Sequence, residues 1–150
     1  MAKYSVVMNR TASTSLGPGS VRADATRPRR GKFYDMSFGS EATPGDFAFL
    51  WQLKRFSGTV PTGTGVTPEP LDPANSATEE DALENHTAEA GTPGNEVKAF
   101  PLNQRSTFRW VAAPDSEPTF PATAGNGLGL LTPTAGALVA ITATVLFDNM

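Results

Sequence analysis

Apolar residues recur along this chain at a spacing of two more often than at three or four, the pattern of strands with one buried face. The clearest run lies near the C-terminus, where Leu138, Ala140, Thr142, Thr144 and Leu146 alternate with Val139, Ile141, Ala143, Val145 and Phe147. The second set reads as a core-facing row. In FAFLWQLKRF, Phe47, Phe49, Trp51 and Leu53 alternate with Ala48, Leu50, Gln52 and Lys54, and Pro44, Gly45 and Gly58 bound the run at strand length. KFYDMSFG places Phe33, Asp35 and Ser37 on one face and Tyr34, Met36 and Phe38 on the other. VKAFPLNQRSTFRWVAAP holds two short runs, the second with Phe108 and Trp110 opposite Arg109 and Val111. PTFPAT and GLGLLT follow, set off by proline and glycine as strands joined by turns are.

Two stretches depart from this rhythm. After a short β run at residues 3–9, residues 10–30 carry few apolar groups and no readable period, which predicts an extended arm over residues 1–30, with a long ordered loop of the sandwich as the alternative. Residues 60–95 form a polar insertion with Val60, Val66, Leu71 and Leu83 as large apolar anchors. Within it Ser76-Ala77-Thr78-Glu79 matches a capping box and acidic residues follow, so a two-turn helix over Ala77 to Asn85 is predicted there. The expected fold is all-β: a jelly-roll or related antiparallel β-sandwich over residues 31–150 with an extended N-terminal arm.

The composition supports that picture. The 150 residues are 39% hydrophobic, with 14 glycines, 13 prolines and no cysteine, so long helices, disulfides and thiolate metal sites are excluded and the core is modest. A modest core suggests help from partner subunits, a homo-oligomer with a trimer favoured. Net charge is -3, divided into +5 over residues 1–55 and -8 over the remainder, as in a chain with one basic, contact-making end. MAKYSVVMNR lacks the apolar core of a signal peptide, and no stretch approaches a bilayer span, so assembly in the cytoplasm and no membrane partner are expected.

The search for chemistry yields little. His86 is the only histidine, stands in a polar stretch outside any nucleophile motif, and reads as a surface side chain. Glu79, Glu80, Asp81, Glu84 and Glu89 read as a solvated acidic face, since they follow no EF-hand pattern. The glycine-rich GNGLG at 125–129 reads as a turn, because no helix pattern follows to complete a phosphate cradle. Trp51 and Trp110 sit in alternating rows, which argues for core packing over a sugar-stacking platform. No cofactor and no metal are expected. The densest basic cluster gives Arg22, Arg27, Arg29, Arg30 and Lys32 as candidate contact residues. Without interleaved aromatics and with an acidic total, it suits an acidic protein surface better than nucleic acid.

Three segments carry a family resemblance. Asn103-Gln104-Arg105 leads to Arg109-Trp110-Val111-Ala112-Ala113-Pro114; Pro121-Ala122-Thr123 leads to Asn126-Gly127-Leu128; and Val145-Leu146-Phe147 closes the chain, with PEPLDPANSATEEDA at 68–82 as a further element. Together they resemble small structural proteins of tailed-phage virions. The resemblance implies a non-enzymatic capsid cement or decoration protein, seated on the outer capsid surface, with the major capsid protein as its partner. Arg105 and Arg109 would then anchor loops or interfaces. The alternatives are a glycan-binding β-sandwich module and a head-fibre or tail component.

Overall fold

The structure, a computed structural model, describes residues 1–89, 93–135 and 137–150. Among them the chain forms strands and no helix: β1 (Lys3–Thr11), β2 (Gly19–Arg22), β3 (Gly31–Ser40), β4 (Ala48–Phe56), β5 (Thr62–Val66), β6 (Glu69–Pro70), β7 (Asp81–Ala88), β8 (Pro93–Asn103), β9 (Phe108–Val111), β10 (Thr119–Phe120), β11 (Gly127–Ala135) and β12 (Ala140–Asn149). Two six-stranded antiparallel sheets pack face to face as a β-sandwich. The first runs β10-β3-β12-β1-β6, with β9 also on β3, and the second runs β5-β7-β2-β11-β4-β8. The last two strands enter the middle of the sheets, β12 between β1 and β3 and β11 between β2 and β4.

The core follows the alternation in the sequence. Ile141, Ala143, Val145 and Phe147 of β12 are fully buried, and Phe49, Trp51 and Leu53 of β4 face them from the second sheet. Aromatic pairs thread the interior: Tyr4 stacks on Phe147 at 5.6 Å, Phe33 meets Phe147 at 6.3 Å, and Phe38 stacks on Trp51 at 4.8 Å. The surface of 7115 Å² is close to the roughly 7,300 Å² expected for a compact monomer of this mass.

Residues 1–30 are not an arm. β1 pairs along its whole length with β12, and Tyr4, Val6 and Met8 are buried; β2 pairs on both edges, with Val21 and Ala23 buried beneath it. The sparse apolar content of residues 10–30 reflects close packing, which small residues permit. At Gly19 an added Cβ would collide with the Leu83 carbonyl and the Met8 side chain. Nor is there a helix over Ala77 to Asn85. Residues 81–88 form β7, because the exposed edge of β2 offers a ladder of backbone hydrogen bonds that so short a helix cannot match. The polar insertion at 60–95 thus supplies β5, β6 and β7; residues 90–92 within it lie outside the described part.

Alternation in β3 is also broken. Leu146 pairs with Asp35 while Phe147 pairs with Phe33, so Tyr34 is an extra residue in a β-bulge. The bulge brings Phe33 onto the same buried face as Met36 and Phe38, in place of the face predicted with Asp35 and Ser37.

Replacing Val145 or Phe147 by Ala should cost about 2 to 5 kcal/mol in urea unfolding, whereas Thr144→Ala, on the outer face, should cost far less; equal small effects would refute this register. Deleting residues 1–11 removes a partner of β12 together with Tyr4, Val6 and Met8. The truncated chain should lose its cooperative thermal transition by circular dichroism, and a retained transition would restore the arm.

Candidate functional site

Polar groups concentrate in three places. The first is a brace on the outer side of the second sheet. Ser20 Oγ lies 3.0 Å from His86 Nε2, and His86 Nδ1 lies 3.0 Å from Glu89 Oε1, which also accepts from the Gly17 amide at 2.5 Å. Arg10 Nη1 donates to the carbonyls of His86 at 2.6 Å and Gly17 at 3.1 Å. His86 is therefore buried, not a surface side chain; its neighbours are supplied by β2 and the β1–β2 loop, which the sequence spacing could not reveal. The order hydroxyl, imidazole, carboxylate is that of a serine nucleophile triad. Ser20 and His86 are each only 1% exposed, however, and Ser20 sits within a strand bonded on both edges, so its backbone amides are committed to the ladder. Acyl transfer needs a reachable hydroxyl and free amides converging on an oxyanion. The arrangement as it stands ties the β1–β2 loop to β7.

The second place is the end of the sandwich beyond the C-terminus of β3. Gln104, 2% exposed, accepts from the Gly45 amide at 3.0 Å and donates to the Ala137 carbonyl at 2.7 Å. One side chain thereby joins three loops. Arg105 donates its amide to Asn103 Oδ1 at 2.9 Å and its Nε to the Pro44 carbonyl at 3.4 Å. Arg109 grips Asp35 from the neighbouring strand, with Nε 3.0 and 3.1 Å from the two carboxylate oxygens and Nη2 at 2.5 Å from one of them. Asp35 is almost wholly buried, so Arg109 supplies the charge it would otherwise lack. Arg105 thus contacts the β3–β4 loop and Arg109 the neighbouring strand β3.

The third place, at the opposite end of β3, gathers the basic cluster. Arg22 pairs with its cross-strand neighbour Asp81 at 3.3 Å. Lys32 lies 3.4 Å from Glu117 and 3.8 Å from Asp148, and is mostly covered. Arg27 and Arg29 both hold Glu79. Arg30 is exposed and, among the described residues, forms no ion pair; its carbonyl accepts from the Met150 amide at 2.7 Å. The β2–β3 loop that carries these arginines is held by Asp24, whose Oδ1 accepts from the Thr26 and Arg27 amides, each at 2.7 Å, and those bonds hold its carboxyl below the usual range. The hydrogen bond from Arg29, then that from Arg27, lowers Glu79 in the same way.

The acidic run is thus not one solvated face. Glu79 meets the arginines, Asp81 meets Arg22, Glu84 accepts from the Asn9 amide, and Glu89 serves the brace. Glu80 is 4% exposed and is held by Thr78, its Oε1 has no hydrogen-bond partner among the described residues, and burial pushes its carboxyl up. The glycine-rich segment makes a turn in which Gly125 has a φ of +78°, followed by β11. Trp51 is buried, and Trp110 lies half-buried beneath Lys98, whose Nζ is 5.4 Å from the ring centroid. Among the described residues no helix is long and apolar enough to cross a membrane, and no cluster of three or more His, Asp or Glu side chains is placed to hold a metal.

The chain matches no family model, no curated protein and no solved structure.

Burial raises Glu80 and Asp148, so the stability each contributes is fully present below the ordinary carboxylate range and is lost as pH rises through its folded pKa. Glu80→Gln removes that loss. The variant's melting temperature should exceed that of the wild type at pH 7 and approach it near pH 3; an equal offset at both would show that Glu80 ionises as freely in the folded chain as in the unfolded one.

Proposed function

We propose that this protein is a non-enzymatic virion structural protein of a tailed phage, a cement or decoration protein that binds the outer capsid surface and stabilises the head. The observation that carries the reading is the strand order. With β5 to β7 and β10 set aside, the sheets run β9-β3-β12-β1 and β2-β11-β4-β8. Those neighbour relations support a jelly roll, an architecture used in viral capsids and also in lectins. Fold alone leaves function open. The sequence resemblance separates the two uses, and its motif residues support a scaffold role: Gln104 joins loops, Arg109 neutralises Asp35, and Val145 and Phe147 fill the core.

A scaffold of this kind acts through what it presents. The stiff β2–β3 loop presents Arg27 and Arg29, whose side chains are 75% and 52% exposed, together with Arg30. The major capsid protein is the partner in this reading, and the loop its contact. Arg22 and Lys32 support the loop from within, because their own ion pairs hold them. A homotrimer is our proposal for the assembled state, favoured because three-fold junctions recur in icosahedral lattices. Each added subunit then stabilises the shell by mass action, without chemistry.

Capsids lacking the protein, mixed with wild type and with an Arg27→Gln, Arg29→Gln, Arg30→Gln variant, supply the test. Wild type should co-sediment and raise the temperature at which the heads fail, with binding falling as salt rises. The variant should fold normally and bind at least tenfold more weakly, the scale expected when several charged contacts are lost together. Equal binding by both would move attachment elsewhere, and binding by neither would refute the capsid role.

A further inference from the structure

Arg27, Pro28 and Arg29 line one side of an open hollow of about 200 Å³ whose other side is Glu79. Proline fixes its own φ and keeps the preceding residue extended, so the residues on either side of it leave the backbone in the same direction. Both arginines accordingly converge on one carboxylate. Arg27 Nη1 donates to Glu79 Oε1 at 3.3 Å, and Arg29 Nε donates to Oε2. Glu79 comes from the β6–β7 connection, 50 residues beyond Arg29 in sequence. A guanidinium has five N–H donors in a planar fork, so contact with Glu79 leaves most of them turned to solvent.

We propose that Arg27 and Arg29 form a clamp for a carboxylate on an acidic segment of a partner protein, and that Glu79 is the resident occupant which that segment displaces. The inference deepens the capsid-binding reading and rests on it only for where the partner resides. The chemistry of the ligand is set by what the clamp already holds: two guanidinia spread across the two oxygens of a single carboxylate. The planar fork suits that group in a way that lysine would not. Exchange is easy because an ion pair at this exposure is weakly held in water. Once Glu79 withdraws, the carboxylates near the arginines are Asp24, which acts on Arg27 and has an oxygen already taken by the loop amides, and the buried Glu80, which acts on Arg29 without an ion pair to it. Glu79 thus lowers the affinity of the free protein for stray acidic groups while leaving the two arginines aligned.

The test uses the purified full chain and a fluorescent hexaglutamate peptide, with anisotropy read at low salt and folding checked by circular dichroism. Glu79→Gln removes the competitor and should tighten binding on the order of three- to tenfold. Arg27→Gln with Arg29→Gln should abolish the binding, and Arg105→Gln, at the other end of β3, should leave it unchanged. The clamp is overturned if Glu79→Gln binds no more tightly than wild type, if the double variant binds as well, or if no form binds. Because no capsid is present, the outcomes separate. Peptide binding without capsid binding would retire the capsid role alone, and capsid binding with an unresponsive Glu79→Gln would retire the clamp alone.

Discussion

The structure depends on β12 lying between β1 and β3. Its inward row, Ile141, Ala143, Val145 and Phe147, is fully buried, and its backbone is bonded on both edges. It binds the first strand of the chain to the third, across more than a hundred residues of sequence. β11 does the same for β2 and β4 in the other sheet. Neither sheet is continuous until the last quarter of the chain is in place. Contacts of that range carry a large loop-closure cost before they stabilise anything, so they must be good ones. The alternation of β12 from Ile141 to Phe147, with Tyr4 stacked on Phe147 and Phe33 tilted against it, supplies that quality.

The strands legible in the sequence were those whose own residues decide their fate. β12, β4 and β9 alternate because one face is more buried than the other, and the row from Ile141 to Phe147 could be named; in β4 the row holds for Phe49, Trp51 and Leu53, while Phe47 precedes the strand and is exposed and Gln52 of the opposite row is buried. β2 and β7 were illegible for the opposite reason. Ser20 and Val21 are preceded by Gly17 and Gly19 because neighbouring backbones approach closely there, and β7 combines a capping box upstream with acidic residues, so local signals favour a helix. Pairing with β2 overrides them, and no single-segment pattern encodes a partner sixty residues away. The bulge at Tyr34 was hidden by the same limitation: strict alternation is a property of a strand, whereas a bulge is a property of a pair.

Polar groups inside the sandwich show a related division. The basic and acidic clusters were evident as composition, yet their pairing was not. The split of charge between the two parts of the chain suggested a basic end reaching outward, and the fold brings acidic residues back onto it. Asp81 meets Arg22, Glu79 meets Arg27 and Arg29, and Glu117 with Asp148 meets Lys32. His86 read as a surface side chain in a polar stretch, and Gln104 stood in a motif without a role of its own. Gln104 is buried because its side chain satisfies backbone groups of two loops distant in sequence, and His86 because its ring bridges the Ser20 hydroxyl and the Glu89 carboxylate once water is excluded.

This neutralisation changes what the basic cluster can do. A bare patch of five cations would attract any polyanion, nucleic acid included, through long-range fields. Here only Arg27, Arg29 and Arg30 extend substantially into solvent, and two of them already share a carboxylate. Long-range attraction is reduced, while the short-range geometry for a carboxylate is kept by Pro28 and by the Asp24 turn. Discrimination then comes from the requirement that a ligand outcompete Glu79 in the same hollow, which a partner positioned by other contacts can do and a freely diffusing anion does poorly.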